Sequence, residues 1–236
     1  MEKINLEQIN DPSFIKNLTP AELEELVKEI RTFILEKVSK NGGHLSSNLG
    51  TVELIVAMHY IFDCKKDKFI FDVSHQAYTH KILTGRAKDF DTLRKFGGLS
   101  GFANYKESEY DVWESGHSST SLAAQCGFLL ARKDPSEKVI ALIGNASIMN
   151  GVSFEALNYM GNLKGLNPII ILNDNNMSIS PSVGAASRSL SHLRSSKAYQ
   201  KVNNFFARHT PTFVRNIFHR LKRSLKGFIL QENLFE

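Results

Sequence analysis

Two stretches of this chain end in the oxygens that a hard divalent cation prefers. Gly144-Asn145-Ala146 follows the apolar run from Val139 to Ile143, and Asn173-Asp174-Asn175 follows the run from Pro168 to Leu172. Amide and carboxylate oxygens at such positions suit Mg²⁺. Three histidines stand in company that could also do chemistry. His44 sits in the Gly- and Ser-rich stretch GGHLSSNLG, residues 42–50; His75 follows the apolar run Lys68 to Val73; His117 lies in the turn Gly116-His117-Ser118-Ser119. Small residues around His44 could cradle a ligand or simply join two helices. A turn with free N–H groups and two hydroxyls ahead of a helix suits an anion or a polar heterocycle, although serines there are also ordinary helix caps.

The elements that must position these groups can be read from periodicity. Val139–Ile143 and Pro168–Leu172 are short and rich in β-branched residues, and the segment between them is long enough for a helical crossover, which makes a parallel βαβ unit. Lys68–Val73 reads as a third strand. If the three lie parallel in one sheet, His75, Asn145 and Asn175 share the carboxyl-end rim, where open parallel sheets bind ligands. Thr19-x-x-Glu22 forms a capping box with Pro20 at the first helical position, and the apolar spacing runs to a stop at Asn41-Gly42-Gly43. Further helices are expected at Val52–Phe62, Gln76–Thr84 and Ser118–Arg132. The loop from Phe96 to Ser108 is long enough for a lid or a partner contact. The fold class is α/β, a parallel sheet with helices on both faces.

A length of 236 residues with 42% hydrophobic content allows one large domain or two small ones. No run of about 18 apolar residues occurs, and Met1 to Pro12 is too polar for a signal peptide, so a cytoplasmic protein without membrane association is expected. Cys64 and Cys126 are too few and too widely spaced for a zinc site or a disulfide framework and read as reduced, buried thiols. Charge is uneven: residues 1–174 hold 22 of the 24 acids, whereas Asn175 to Gln231 holds ten Lys or Arg and no acid. Residues 1–180 therefore read as an α/β core and 181–236 as a basic helical tail, with two helices over Ala198 to Leu230. The tail could meet nucleic acid or an anionic surface, yet no nucleic-acid motif accompanies it and a solvated helical face accounts for it.

GGHLSSNLGTVEL, FDVSHQAYTHKILTGR, ESEYDVWESGHSSTS and FEALNYMGNL-x8-ILNDNNMSIS, in that order, resemble the amino-terminal domain of 1-deoxy-D-xylulose-5-phosphate synthase. The resemblance covers nearly the whole chain and is strongest from Gly42 to Ser180. It implies a thiamine diphosphate-binding domain of the diphosphate-side type, Mg²⁺, a homodimer, and a place in joining pyruvate to glyceraldehyde 3-phosphate with loss of CO₂ for isoprenoid and thiamine synthesis. It implies that His75 contacts the cofactor near its reactive ring and that His44 assists proton movement. Gly116, His117 and Ser118 match the turn along the cofactor, with Ala146 and Ser147 on the diphosphate side. Asn145, Asn175 and the main-chain carbonyl of Met177 match the metal ligands.

Two departures qualify what the resemblance implies. The family carries Gly-Asp-Gly with an Asn about 30 residues on; here the spacing from Asn145 to Asn175 is kept, but the triplet is Gly-Asn-Ala. Asn145 retains a carbonyl oxygen and loses a negative charge, and Ala146 replaces a glycine that can approach a phosphate closely or take positive φ. The family also draws an activating Glu and its substrate-phosphate ligands from a separate pyrimidine-binding domain, which this chain does not reach. The expectation is a degenerate chain, inactive alone and weak in cofactor binding. The competing expectations are a split enzyme completed by a second, pyrimidine-domain chain, and a non-catalytic binding protein that uses its basic tail.

Overall fold

The computed structural model describes residues 4–173. The chain divides into two compact units, Met1–Ala156 with Gly165–Asp174, and Leu157–Lys164 with Asn175–Glu236. Within the second unit only Leu157–Lys164, the end of one helix and the turn after it, falls among the described residues. The expected tail helices, the ligand positions Asn175 and Met177, and all of 181–236 lie outside them.

The first unit opens with short 3-10 turns at Leu6–Gln8 and Pro12–Asn17 and then the helix α1, Pro20–Asn41. Its start is the capping box that the sequence predicts. Thr19 Oγ1 accepts from the Glu22 N–H, and the Glu22 carboxylate accepts from the Thr19 N–H at 2.7 Å. Leu26, Ile30, Ile34 and Val38 line its buried face. GGHLSSNLG is not a plain loop: Leu45–Leu49 forms a short helix, α2, with His44 at its cap position. The helix α3, Val52–Ile61, follows at the expected place.

Three parallel strands form the sheet in the order β1 (Lys68–Phe71), β2 (Val139–Gly144) and β3 (Ile169–Asn173). The register sets Phe69 beside Ile140 and Ile140 beside Ile169, and likewise Phe71, Leu142 and Ile171. These six side chains face one way and pack with Ile55 and Met58 of α3. Alternation turns Ile70, Ala141 and Ile143 to the other face. The helix α5, Ser121–Ala131, packs against β1 and β2, and its buried Gln125 donates to the Val139 and Ile169 carbonyls at 2.8 Å each. A second core gathers α1 and α3 with Tyr78, Ile82, Leu83 and Phe90.

Between β1 and α5 the chain forms the short helix α4, Tyr78–Lys81, a wide turn over Ile82–Arg86, and a 3-10 stretch to Thr92. The expected helix over Gln76–Thr84 is thus broken. Thr84 and Gly85 leave helical geometry, and Gly85 has φ 89°, which its missing Cβ permits. The crossover from β2 to β3 is carried by the short turn of helix α6, Asn145–Ile148, and by α7, Gly151–Asn162. Cys64 and Cys126 are both free and buried, as expected, and burial pushes the Cys64 thiol up to about 12. Among the described residues no helix is long and apolar enough to cross a membrane.

Candidate functional site

Parallel strands bring their carboxyl ends to one edge, so the segments leaving β1 and β2 emerge side by side. The ladder runs one residue past β1, where the Asp72 N–H donates to the Leu142 carbonyl at 2.9 Å, and Gly144 lies opposite Asn173. Beyond this edge the two exits differ in kind.

The β1 exit is tightly held. Val73 and Ser74 have φ of 60° and 67°, a left-handed pair without a glycine. Such a conformation costs on the order of 1–3 kcal/mol per residue and persists only where its surroundings impose it. Two anchors do so. The buried Asp72 carboxylate accepts from the Ser119 N–H at 2.9 and 3.0 Å, from the Ser121 N–H at 3.3 Å and from the Ser121 hydroxyl at 2.8 Å. The Ser74 hydroxyl accepts from the Ala103 N–H at 2.8 Å. Asp72 therefore joins the exit carrying His75 to the turn carrying Gly116, His117 and Ser118.

That turn is not the helix start expected of it. Ser119 has φ 73°, and α5 begins only at Ser121, after Thr120. Ser115, His117 and Thr120 instead bond among themselves: Thr120 Oγ1 donates to Ser115 Oγ at 3.0 Å and lies 3.2 Å from the His117 carbonyl, and His117 Nδ1 lies 2.7 Å from the Ser118 carbonyl. The free amide groups are partly used, so the anion-binding reading from a bare helix terminus does not hold. What remains is space. A Cβ on Gly116 would meet no atom within 4 Å, and the same is true of Gly144.

His44 and His75 come together. Their ring centroids are 5.5 Å apart, edge to face, and the Phe102 ring lies 5.4 Å from His44 on another side. Burial lowers the pKa of His44, with Arg94 adding to the effect; burial also lowers that of His75, His44 adding and Asp72 opposing. Both shifts run downward from 6.5, so both rings are neutral at pH 7. His44 Nδ1 is buried and has no hydrogen-bond partner among the described residues. A neutral imidazole with one free nitrogen can accept or donate a proton near neutrality.

The sequence reading missed the groups that hold this pair. Asn48 is fully buried and sets the backbone of both histidines, and Tyr78, also fully buried, directs its hydroxyl to the His44 N–H at 3.4 Å. Tyr78 explains Gly43: with φ 144°, a Cβ there would stand 2.7 Å from the tyrosine hydroxyl oxygen. Asn48 stands inside GGHLSSNLG and Asp72 inside FDVSH, the same motifs that carry the histidines. Their place inside these motifs was the only pointer to them in the sequence; their burial and main-chain bonds leave no mark in its pattern.

The Phe96–Ser108 loop, expected as a lid or a partner contact, is anchored along part of its length like a buttress. Leu99 and Ala103 are buried. Its end is fixed by a buried charge network: Arg86 makes a two-pronged bond to Asp111 at 2.7 and 2.8 Å, Lys81, wholly buried, pairs with Glu107, and the Asn104 N–H donates to Asp111 at 2.8 Å. His59 Nε2 and His80 Nδ1 are 3.0 Å apart, and His80 Nε2 is 3.3 Å from Asp111. Burial lowers the pKa of both histidines, well below 6.5 for His59. Burial alone would raise Asp111, but hydrogen bonds from His80 and Arg86 outweigh it and hold the carboxyl far below the usual range.

The β2 exit is open by comparison. Asn145 begins α6 half-buried, Ala146 is exposed, and Ser147 is half-buried. Asn145 Oδ1 accepts from the Ala146 N–H at 2.9 Å, so the amide oxygen offered to a cation already has a partner in its own chain. Ala146 is not in the left-handed region, and its replacement of glycine causes no backbone strain here. Among the described residues no group of three His, Cys, Asp or Glu is placed to hold a metal ion.

Residues 6–236 match the family model described as 1-deoxy-D-xylulose-5-phosphate synthase. The chain belongs to this family. It is 48% identical over 241 aligned positions to the 1-deoxy-D-xylulose-5-phosphate synthases of Shouchella clausii, Halalkalibacterium halodurans and Listeria welshimeri, an alignment that takes in 99% of this chain. The chain spans 38% of the length of those relatives. Against the 1-deoxy-D-xylulose-5-phosphate synthase resemblance drawn from the motifs, the family assignment stands, and with it a parallel α/β sheet with helices.

Proposed function

We propose that the described region is the diphosphate-side wall of a thiamine diphosphate site of the 1-deoxy-D-xylulose-5-phosphate synthase type, with the thiamine side kept and the Mg²⁺ side weakened. The observation that carries this reading is the β2 exit. A carboxamide stands where the family pattern has a carboxylate, and its oxygen is engaged by the Ala146 N–H. Mg²⁺ prefers charged oxygen and gives up its water reluctantly, so a neutral oxygen that must first lose an internal hydrogen bond is a poor ligand.

On the thiamine side the residues fit. The space beside Gly116 and Gly144 leaves room for a group lying along the turn and the strand end, and the buried His44 Nδ1 without a partner is a polar atom such a ligand would satisfy. His44 and His75 would stand toward the reacting ring, Gly116, His117 and Ser118 along the cofactor, Ala146 and Ser147 toward the diphosphate, and Asn145 toward the metal. Thiamine diphosphate supplies an electron sink for the carbanion formed when a 2-oxo acid loses CO₂. This chain's part is to orient that group, to keep water from it with Phe102 and the 96–111 buttress, and to move a proton at the paired imidazoles. In the relatives' reaction pyruvate and glyceraldehyde 3-phosphate would be joined; the carboxylate lost at Asn145 favours a chain that does not sustain that reaction by itself.

A second reading, a diphosphate-side subunit completed by a pyrimidine-domain chain, is favoured by the intact support of His44 and His75, which decay without selection would not preserve. A homodimer of the family kind is compatible with either. Calorimetric titration with thiamine diphosphate and Mg²⁺ tests the proposal. The native chain should bind more weakly than micromolar, and Asn145→Asp with Ala146→Gly should tighten binding about tenfold, ~1.4 kcal/mol. Micromolar binding by the native chain would sink the weakened-site reading and leave the subunit reading in place.

A further inference from the structure

One side chain touches both histidine-bearing segments. Asn48 Nδ2 donates to the His44 carbonyl at 2.6 Å and to the His75 carbonyl at 2.8 Å, and Asn48 Oδ1 accepts from the Tyr78 N–H at 2.9 Å. The residue is wholly buried, and its own carbonyl lies 3.3 Å from the Thr51 hydroxyl within the α2–α3 corner. The donor and acceptor ends are fixed by chemistry, since two of the partners are carbonyls and the third is an N–H. We propose that Asn48 is a positioning residue that sets the distance and orientation of the His44–His75 pair by clamping both main chains with a single carboxamide.

His44 and His75 are 31 positions apart and belong to different elements, the cap of α2 and the exit of β1. No ring-to-ring hydrogen bond is among those the structure records for the pair; their edge-to-face contact at 5.5 Å is soft and would tolerate several arrangements. Two N–H donors diverging from one planar nitrogen leave little latitude, because both carbonyls must lie near the amide plane. No other side-chain type offers two donors and one acceptor at this reach. Asp would set a carboxylate against two carbonyl oxygens, Leu would leave all three backbone groups without partners in a buried place, and Ser could serve only one carbonyl at a time. Tyr78 ties the third corner, because its N–H is held by Asn48 while its hydroxyl meets the His44 N–H. The charged groups that act on the two rings, Arg94 on His44 and Asp72 on His75, have no recorded hydrogen bond to Asn48 and are kept when Asn48 is changed.

The proposal rests on the functional reading only in calling this pair the reacting one; the geometry itself is tested without cofactor. Asn48→Ala and Asn48→Ser would be made in the full chain, with Leu129→Ala on α5 as a buried control far from both loops. Histidine ring resonances would be followed by NMR. In the native chain the His44 and His75 rings should show a cross-ring nuclear Overhauser effect and titrate below 6.5, and the Asn48 side-chain amide protons should exchange slowly. In the folded Asn48 variants the cross-ring effect should vanish and both titrations should rise toward 6.5, while Leu129→Ala changes neither. Unchanged ring contacts in a folded Asn48 variant, or the same loss in Leu129→Ala, would overturn the proposal. Fast exchange of the Asn48 amide in the unaltered chain would do so without any mutation. Thiamine diphosphate binding, measured separately on the same samples, reports on the functional reading and not on the clamp.

Discussion

The exits of β1 and β2 leave adjacent strands of one sheet and are built to opposite standards. The β1 exit holds two left-handed residues in place with a buried carboxylate, a buried carboxamide and a buttress locked by ion pairs. The β2 exit turns at once into four residues of helix, half-exposed, and its key side chain, Asn145, accepts from the N–H of the next residue. A histidine pair needs fixed neighbours to have a defined separation and pKa. A metal position draws much of its order from the ion itself and can lose its carboxylate without disturbing the fold. The same sheet can therefore keep one half of a site while the other half drifts.

The sharpest way to break this contrast is to attack what locks the β1 side. Asp111→Ala removes the two-pronged partner of Arg86 and the acceptor of the Asn104 N–H, and leaves the buried Arg86 only a longer contact at 3.5 Å to Glu107, which Lys81 also uses. Breaking a buried pair from one side costs about 3–5 kcal/mol. The midpoint of chemical denaturation should fall accordingly, with faster proteolysis within residues 96–111. A loss below 1 kcal/mol would mean that the network does not bear on the loop. Asp72→Ala comes next. It strips one acceptor from two N–H groups and a hydroxyl and should cost about 3 kcal/mol, given the 1.5–3 kcal/mol of a hydrogen bond to a charged group.

Acidity should separate the two sides as well. His44, His59, His75 and His80 all have pKa values lowered by folding, and the first cause in each case is burial. Below 6.5 the unfolded chain takes up protons that the folded chain refuses, so stability is full above 6.5 and declines as pH falls toward the folded values. The slope is about 1.4 kcal/mol per pH unit for each fully excluded proton, a limit that applies to the buried His59 and His80 and less to the more exposed His44. Denaturation at pH 7.5 and 5.5 measures it, and equal stability at the two would contradict neutral rings. Asn145→Asp should leave that difference unchanged, since none of the four histidines lies on the β2 exit.

Much of this was legible in the sequence because it rests on short-range rules. Thr19-x-x-Glu22 and Pro20 announced α1, and two β-branched runs together with the short run Lys68–Val73 announced the strands to within two residues. Helix α2 was hidden because His-Leu-Ser-Ser-Asn has weak helix propensity and forms around a tertiary anchor, the buried Asn48. Helix α5 starts at Ser121 and not at the expected Ser118 because the GHSST turn bends through a left-handed Ser119, which Asp72 imposes from 47 positions away. His44 and His75 could be named from motif, but what sets their spacing is a polar side chain bonded to main-chain groups, and nothing in one-dimensional patterning marks such a residue.

The smallest effect expected falls on the open exit and is informative for that reason. Asn145→Asp keeps an oxygen within reach of the Ala146 N–H and adds a negative charge at the first residue of α6, where the exposed N–H groups of a helix start favour an anion. Asn145 is half-buried and the substitution keeps its size, so stability should move by no more than about 0.5 kcal/mol. Thermal denaturation of the single variant without Mg²⁺ checks this. A destabilisation comparable to that of Asp72→Ala would show that Asn145 is tied into the fold as firmly as the β1 exit, and the contrast between the two sides of the rim would fail. A near-neutral result combined with tighter cofactor binding separates the two properties cleanly: the β1 side sets whether the wall exists, and one oxygen on the β2 side sets whether it holds a cation.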